Sequence, residues 1–595
     1  MKIVDGCPGD VEVRRAGLAL VVGVAGNGDV DRDERIDEET VGSQRTSITG
    51  SSSSTADAAA VINRLGLVGA VAFVAAWLRE ATAPAWAWAS GGYGDGGSNG
   101  KERAQDLLLS CQAAFLLSQH SSINKGRLVS MGAAEALSRA IALSGRTNND
   151  TVDDAAVAAG HELRKEQDQL TRIRAETQVW AAKAVAELAG GHANEDRCTT
   201  LVRAGALRAL FAAMNRRPTA RPLHRAGCLT LGSVAACFNT KDLQILGRNG
   251  GAQAVVFALG ACSGDKSVAW AGLLAVAKLS VSSGNRRLLG EVGACSLISK
   301  VLLEFSDDDA IAEEGCRAVA GLATLSGFNR TALGRSGAAD ATTAALLKHP
   351  AKAATQRWGL SAAASLIADT DPSGNTARIT DAGILKLAER ALTRFPQNPS
   401  VQVEGLRTLA KVASSGDVDV DAVWAAGVVI PTVRALGLYL NDGDVQHWGM
   451  AVVRALSRSQ EQCDKWRAAG APEAVARALR DFREGGSGRH VRHDEQEKGR
   501  PSDARRCTAH ELLCVQLQAC AAALNLAAFS SDGRRRLVRE DAGEALAAMM
   551  KSNPTNLAAQ RAALAALAAL SASGTENRKR LRRYEFQEQK LSGLF

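Results

Sequence analysis

Asp29-x-Asp31-x-Asp33, followed by Ile36, has the carboxylate spacing that opens a calcium loop, in which alternate residues turn oxygens toward one hard cation. Glu34 stands where the loop needs its turn glycine and Thr40 where the bidentate glutamate belongs, so the segment reads as a solvated acidic linker. His490 and His493 lie in a charged stretch, two imidazoles where a transition metal needs three or four ligands. The densest basic run, Arg578-Lys579-Arg580-Leu581-Arg582-Arg583, has the composition of a targeting signal or a nucleic-acid contact, and equally of a polar helix closing a repeat stack. There is no GxSxG elbow, no GxxxxGK loop, no HExxH pair and no glycine fingerprint after a strand. The chain is therefore expected to be non-enzymatic, with no cofactor, no metal and no small-molecule substrate.

Charge and cysteine usage narrow the partners. Lys and Arg number 71 against 63 Asp and Glu, and the net +8 is modest for 595 residues. Nucleic-acid binding usually needs a concentrated basic face, so nucleic acid is not an expected partner. The 12 cysteines form no CxxC pair, and Cys228, Cys316 and Cys520 sit inside apolar runs. They read as buried thiols of a reducing compartment, which points to the cytoplasm, with the nucleus open through the basic run. The apolar stretches Ala16 to Ala25 and Leu65 to Leu78 are shorter than the ~18–20 residues that cross a bilayer, so no transmembrane segment is expected.

The elements that would position any site are announced by glycine. Gly205, Gly250, Gly293, Gly337, Gly383, Gly427 and Gly470 are spaced 45, 43, 44, 46, 44 and 43 residues apart. Gly69, Gly132 and Gly543 extend the series across longer intervals. A period in the forties over an Ala/Leu background, with aromatics at 4%, indicates stacked helical units that bury their apolar faces on their neighbours. Residues 1–60, with an acidic run and a serine tract, are expected to be a disordered extension. Residues 61–595 form the stack, about eleven units, with polar insertions near 89–102, 145–169 and 483–507.

Within one unit the pattern predicts three helices. In Asp265 to Phe305 an apolar-periodic run ends near Ser282-Ser283-Gly284, a short run follows, Gly293 breaks it, and another helix continues to Leu303. A residue without Cβ permits a sharp turn between the short helix and the next one. Four residues before the glycine stands a core residue: Leu128, Leu201, Leu246, Leu289, Leu333, Ile379, Val423 or Trp466. Asn124, Asn285, Asn329 and Asn375, eight before it, are expected to cap the short helix. Trp180, Trp270, Trp358 and Trp448 recur near the start of third helices, either as anchors for a partner or as packing between neighbouring helices.

The segments Asn285-Arg-Arg-Leu-Leu-Gly-Glu-Val-Gly293-Ala294 and Asn329-Arg-Thr-Ala-Leu-Gly-Arg-Ser-Gly337-Ala338 resemble the armadillo repeat. The resemblance covers most of the chain after Val61 and implies an all-α, right-handed superhelical solenoid of three-helix repeats. HEAT repeats, the two-helix relative, would not need the regular glycine. The resemblance also implies a concave groove lined by third helices, where an asparagine near the helix end grips an extended peptide. Here the matching positions hold Glu187, Ser233, Lys278, Gly321, Ser365, Lys411, Arg454, Asn525 and Ala569, so that Asn525 alone keeps the family residue. One turn earlier, Lys183, Arg317 and Arg407 replace the usual tryptophan. The implied function is a non-catalytic scaffold or adaptor whose basic track, Lys183, Lys278, Arg317, Arg407, Lys411 and Arg454, holds an acidic, extended protein segment. A nuclear transport receptor or adaptor, or the repeat region of a larger signalling protein, is the alternative.

Overall fold

The computed structural model describes residues 16–19, 21–23, 69–83, 99–119, 121–144, 161–191, 194–368, 374–416, 418, 420–482, 489–490, 505–506 and 509–572. Among these residues the chain is helical except for one antiparallel ladder, Arg489 with Arg506 and His490 with Arg505. That ladder lies inside the insertion near 483–507. The chain divides into two compact units, Met1–Leu297 and Ile298–Phe595.

Each unit is a stack of three-helix layers in which third helices pack on third helices and second helices on second helices. The third helices are Asn99–Ser118, His161–Ala189, Arg221–Cys237 and Lys266–Leu279 in the first unit. In the second they are Asp309–Ala323, Ala353–Leu366, Pro399–Ser414, Gly443–Ala455, Ala509–Phe529 and Leu557–Ser571. Many open on a side-chain cap, with Asp265, Asp308, Asn398, Asp442 and Asn556 each accepting from the helix's first turn. The helix Glu511–Phe529, with mean hydropathy 1.7, is long and apolar enough to cross a membrane. Its Val515, Ala519, Cys520, Ala523 and Leu526 are buried within the second unit, so it packs as a core helix.

The glycine series marks the bend in each layer. Gly69, Gly132, Gly205, Gly250, Gly293, Gly337, Gly383, Gly427 and Gly470 all have φ between 77° and 102°. An L side chain there costs roughly 1–2 kcal/mol, which is why glycine recurs. The core residues four positions earlier are buried in every case, from Leu128 to Trp466. Gly543 does not belong to the series. It lies inside the helix Ala542–Ser552, and the left-handed junction residue of that layer is Asp541, at φ 57°. Aspartate serves because its short polar side chain tolerates this region better than most.

The asparagines are not caps. Ser121 and Ser326 take that place with their hydroxyls, and Gly374 precedes Asn375. Asn124, Asn285, Asn329 and Asn375 are buried, and their amides donate to Leu117 O at 3.0 Å, Leu243 O at 2.7 Å, Leu322 O at 3.0 Å and Arg330 O at 3.1 Å. Leu117 and Leu322 stand at the carbonyl ends of third helices, where carbonyls lack helical donors, whereas Leu243 and Arg330 lie within the short helices Thr240–Leu246 and Gly327–Arg335, which the amides tie to the next layer. The insertions near 89–102 and 145–169 also end earlier than expected, since the helices Asn99–Ser118 and His161–Ala189 already cover their last residues. Within 1–60, residues 16–19 and 21–23 are helical, Leu18 and Val21 are buried, and Val22 packs against Leu116. The remainder of 1–60, with Asp29, Asp31 and Asp33, lies outside the described residues, as do His493 and the basic run at 578–583.

A second glycine series, missed in the sequence, joins second to third helices. Gly227, Gly272, Gly315, Gly359, Gly405 and Gly449 each sit against a side chain thirteen residues earlier: Met214, Leu259, Leu302, Leu346, Leu392 and Leu436. That constant offset was the available signal. Three residues before most of these glycines stands a buried donor. Gln356 donates to Leu346 O at 2.8 Å and His349 O at 3.1 Å, and Gln402 donates to Leu392 O and Phe395 O, both at 2.9 Å. Gln446 repeats the contact on Leu436 O at 2.8 Å and Tyr439 O at 3.0 Å. Each glutamine satisfies the carbonyl end of a second helix.

In the first unit His224 takes that place, its Nε2 lying 3.1 Å from Arg217 O. Burial holds the ring below its ordinary pKa, against the backbone contacts to Arg217 and Pro218, which raise it. The unfolded chain therefore binds a proton more readily than the folded one. Stability from this group is present above the ordinary histidine pKa of about 6.5 and is lost as pH falls through it. His224→Gln, which installs the donor of the other layers, should flatten the loss of urea midpoint between pH 7 and 5. An unchanged pH profile would remove His224 as the cause.

Candidate functional site

The twelve residues singled out in the sequence all lie on third helices, and all are half-buried. In the first unit the Trp180 ring meets Phe115 edge-on at a centroid distance of 5.4 Å. Lys183 Nζ lies 4.8 Å from the Trp180 centroid, within cation–π range. Glu187 is an acceptor for Lys125 Nζ at 2.6 Å, and the same ammonium donates to Gly190 O at 3.3 Å. Trp270 and Lys278 lie on the helix Lys266–Leu279, near its two ends.

In the first four layers of the second unit two kinds alternate. One carries a glutamate–arginine pair: Glu314 with Arg317 at 3.6 Å, and Glu404 with Arg407 at 3.1 Å. The other carries tryptophan, Trp358 or Trp448, at the place of the glutamate. Each arginine lies over the tryptophan of the following layer, with Arg317 Cζ 4.8 Å from the Trp358 centroid and Arg407 Cζ 6.0 Å from that of Trp448. Arg357 approaches Trp358 as well, at 4.5 Å. The cations and the tryptophans, which the sequence suggested as two separate tracks, are one ladder. A guanidinium over an indole keeps N–H groups at its edge for a carboxylate, while its flat face is desolvated by the ring. The arginine side chains remain 22% and 23% exposed, and Nη1 of each already faces its own glutamate.

Lys411 has a different role. Its Nζ donates to Ala364 O at 2.7 Å and Ile367 O at 3.1 Å, at the carbonyl end of the helix Ala353–Leu366. A cation there answers the negative end of the helix dipole and ties two layers together. Asn525 does the same with an amide, donating to Arg454 O at 2.9 Å. Arg454 itself lies one residue short of the register that Lys278 and Lys411 share, five rather than six residues after the packing glycine. A cavity of about 230 Å³ lies between the starts of the helix Gly443–Ala455 and the next third helix, lined by Gly443, Asp444, His447, Trp448, Glu511 and Cys514. Burial, joined by the charge of Arg454, keeps His447 below its ordinary pKa and so neutral near pH 7.

No family model matches the chain, and no curated protein matches it. Among solved structures, a crystal structure of an engineered protein from a structural genomics consortium is 19% identical, with a TM-score of 0.57, covering 80% of this chain and 97% of that one. Two further engineered proteins from the same source are 20% and 23% identical and cover 47% of this chain, with TM-scores of 0.36 and 0.37. At such identity the first likeness bears on the fold alone, and that fold is a helical repeat stack.

Proposed function

We propose that this protein is a non-catalytic scaffold of the armadillo type, wound as a right-handed superhelix and working in the cytoplasm and nucleus. It holds an extended, acidic segment of a protein partner on the third-helix face of its second unit. The observation that carries the reading is the alternation of Arg317, Trp358, Arg407 and Trp448 in half-buried cation–π contact. Packing alone does not require an arginine over each of these two tryptophans. Carboxylates of the partner meet the guanidinium edges, and its apolar side chains cover the indoles. The three-helix layer and its junction glycine support the armadillo assignment.

The test is affinity capture from lysate with the full chain, read by mass spectrometry. Arg317→Gln with Arg407→Gln should lower recovery of partners bearing acidic segments at least tenfold, a change of about 1.4 kcal/mol. Trp358→Ala with Trp448→Ala should do the same, with helicity by circular dichroism unchanged. Equal recovery with both pairs would sink the proposal. Lys411 is a poor probe, because its charge holds two layers together.

A further inference from the structure

Cys198 and Cys237 stand in a geometry that helix packing does not require. Cys198, on the short helix Glu195–Arg203, is fully buried, whereas Cys237, the last residue of the helix Arg221–Cys237, is half-exposed. Their sulfurs are 3.0 Å apart and both are thiols, so the pair stands about 1 Å short of a disulfide bond of ~2.05 Å. The equivalent position one layer earlier is instructive. Lys125, like Cys198, lies seven residues before its junction glycine, and its ammonium crosses to Glu187 near the end of the next third helix and to Gly190 just beyond it. Where that layer uses an ion pair as a cross-tie, this one places two sulfurs.

We propose that Cys198 and Cys237 form a redox modification site, closing to an intramolecular disulfide by exchange with a low-molecular-weight disulfide of the glutathione class. Cys237 reaches solvent and reacts first. Its thiolate, having released its proton to water, attacks one sulfur of glutathione disulfide, expels one glutathione thiolate and leaves a mixed disulfide at Cys237. Cys198 then gives up its proton and attacks the Cys237 sulfur, which releases the second glutathione. Two protein thiols are oxidised, one small disulfide is reduced to two thiols, and the protons pass to the departing thiolates. The bond ties a short helix to the third helix that follows it within the first unit. Selectivity comes from access and proximity: Cys237 reaches solvent with the Cys198 sulfur 3.0 Å away, whereas Cys228, Cys316 and Cys520 are buried where no oxidant reaches them.

The experiment exposes the full-length reduced protein to glutathione disulfide, quenches by alkylation and maps the peptides by mass. The wild type should yield a peptide joining Cys198 to Cys237, which dithiothreitol removes. Cys198→Ser should stop at a glutathione adduct on Cys237, and Cys237→Ser should leave Cys198 reduced. Half-exposed Cys514 reports that the oxidant is active. Absence of the joined peptide in the wild type, or pairing of Cys237 with any other cysteine in preference to Cys198, overturns the proposal.

Discussion

Gly359→Val should lower the unfolding free energy by about 3 kcal/mol, the upper part of the range for overpacked cores. Helix propensity argues the opposite sign, because replacing a mid-helix glycine ordinarily helps by up to about 1 kcal/mol. Steric contact decides. A Cβ at Gly359 would stand 2.6 Å from Leu346 Cδ2 and 2.7 Å from Leu346 Cγ. Leu346 is fully buried, and Gln356 bonds the two helices together at Leu346 O and His349 O, so neither helix can easily retreat. Urea denaturation followed by circular dichroism measures the effect. Gly359→Ala made in a Leu346→Ala background should cost less than about 0.5 kcal/mol, because the colliding side chain is gone. A Gly359→Val protein within 0.5 kcal/mol of wild type would show that the close approach does not constrain the layer.

Gln402→Leu should cost about 2 kcal/mol with little change in volume. Gln402 is 2% exposed, and its one amide group serves Leu392 O and Phe395 O. Leucine removes both bonds, each worth about 1 kcal/mol net, while Leu392 O keeps Arg434 Nη2 at 3.3 Å and Phe395 O keeps Asn398 N at 3.1 Å. The layers with Ala269 and Ala312 at this place show that the fold can be built without the amide when the surrounding helix end is arranged for it. Hydrogen exchange localises the effect. Protection should fall first at Phe395 N, which bonds to Ala391 O at the end of the second helix. Loss of protection spread evenly over the unit would instead indicate general loosening.

Much of the architecture was legible. A left-handed φ is a demand on one residue, and glycine meets it alone, so the junctions could be counted from Gly69 to Gly470 without knowing any contact. The last junction escaped because Asp541 meets the demand by another route, and a nearby Gly543 offered a false mark. The glutamines at 356, 402 and 446 escaped for a different reason. A buried amide in an Ala/Leu helix looks like any exposed one until the carbonyl it serves is known. The Asn285 and Asn375 amides were misread as caps for the same cause, since Leu243 and Arg330 lie 42 and 45 residues away.

The candidate site divides along that line. The amino-acid sequence by itself determined the period, the three helices of each layer, the bend between the first two and the face on which Trp358, Trp448, Arg317 and Arg407 fall. Those are consequences of local backbone geometry and of a helical repeat of 3.6 residues. Only the tertiary structure decided which cations remain for a partner. Lys411 is committed to carbonyls 44 and 47 residues away, while Arg317 and Arg407 rest on tryptophans of the next layer, partly exposed beside Glu314 and Glu404. A charge has the same sign wherever it sits in the chain, but its availability depends on what the stacking of layers brings against it.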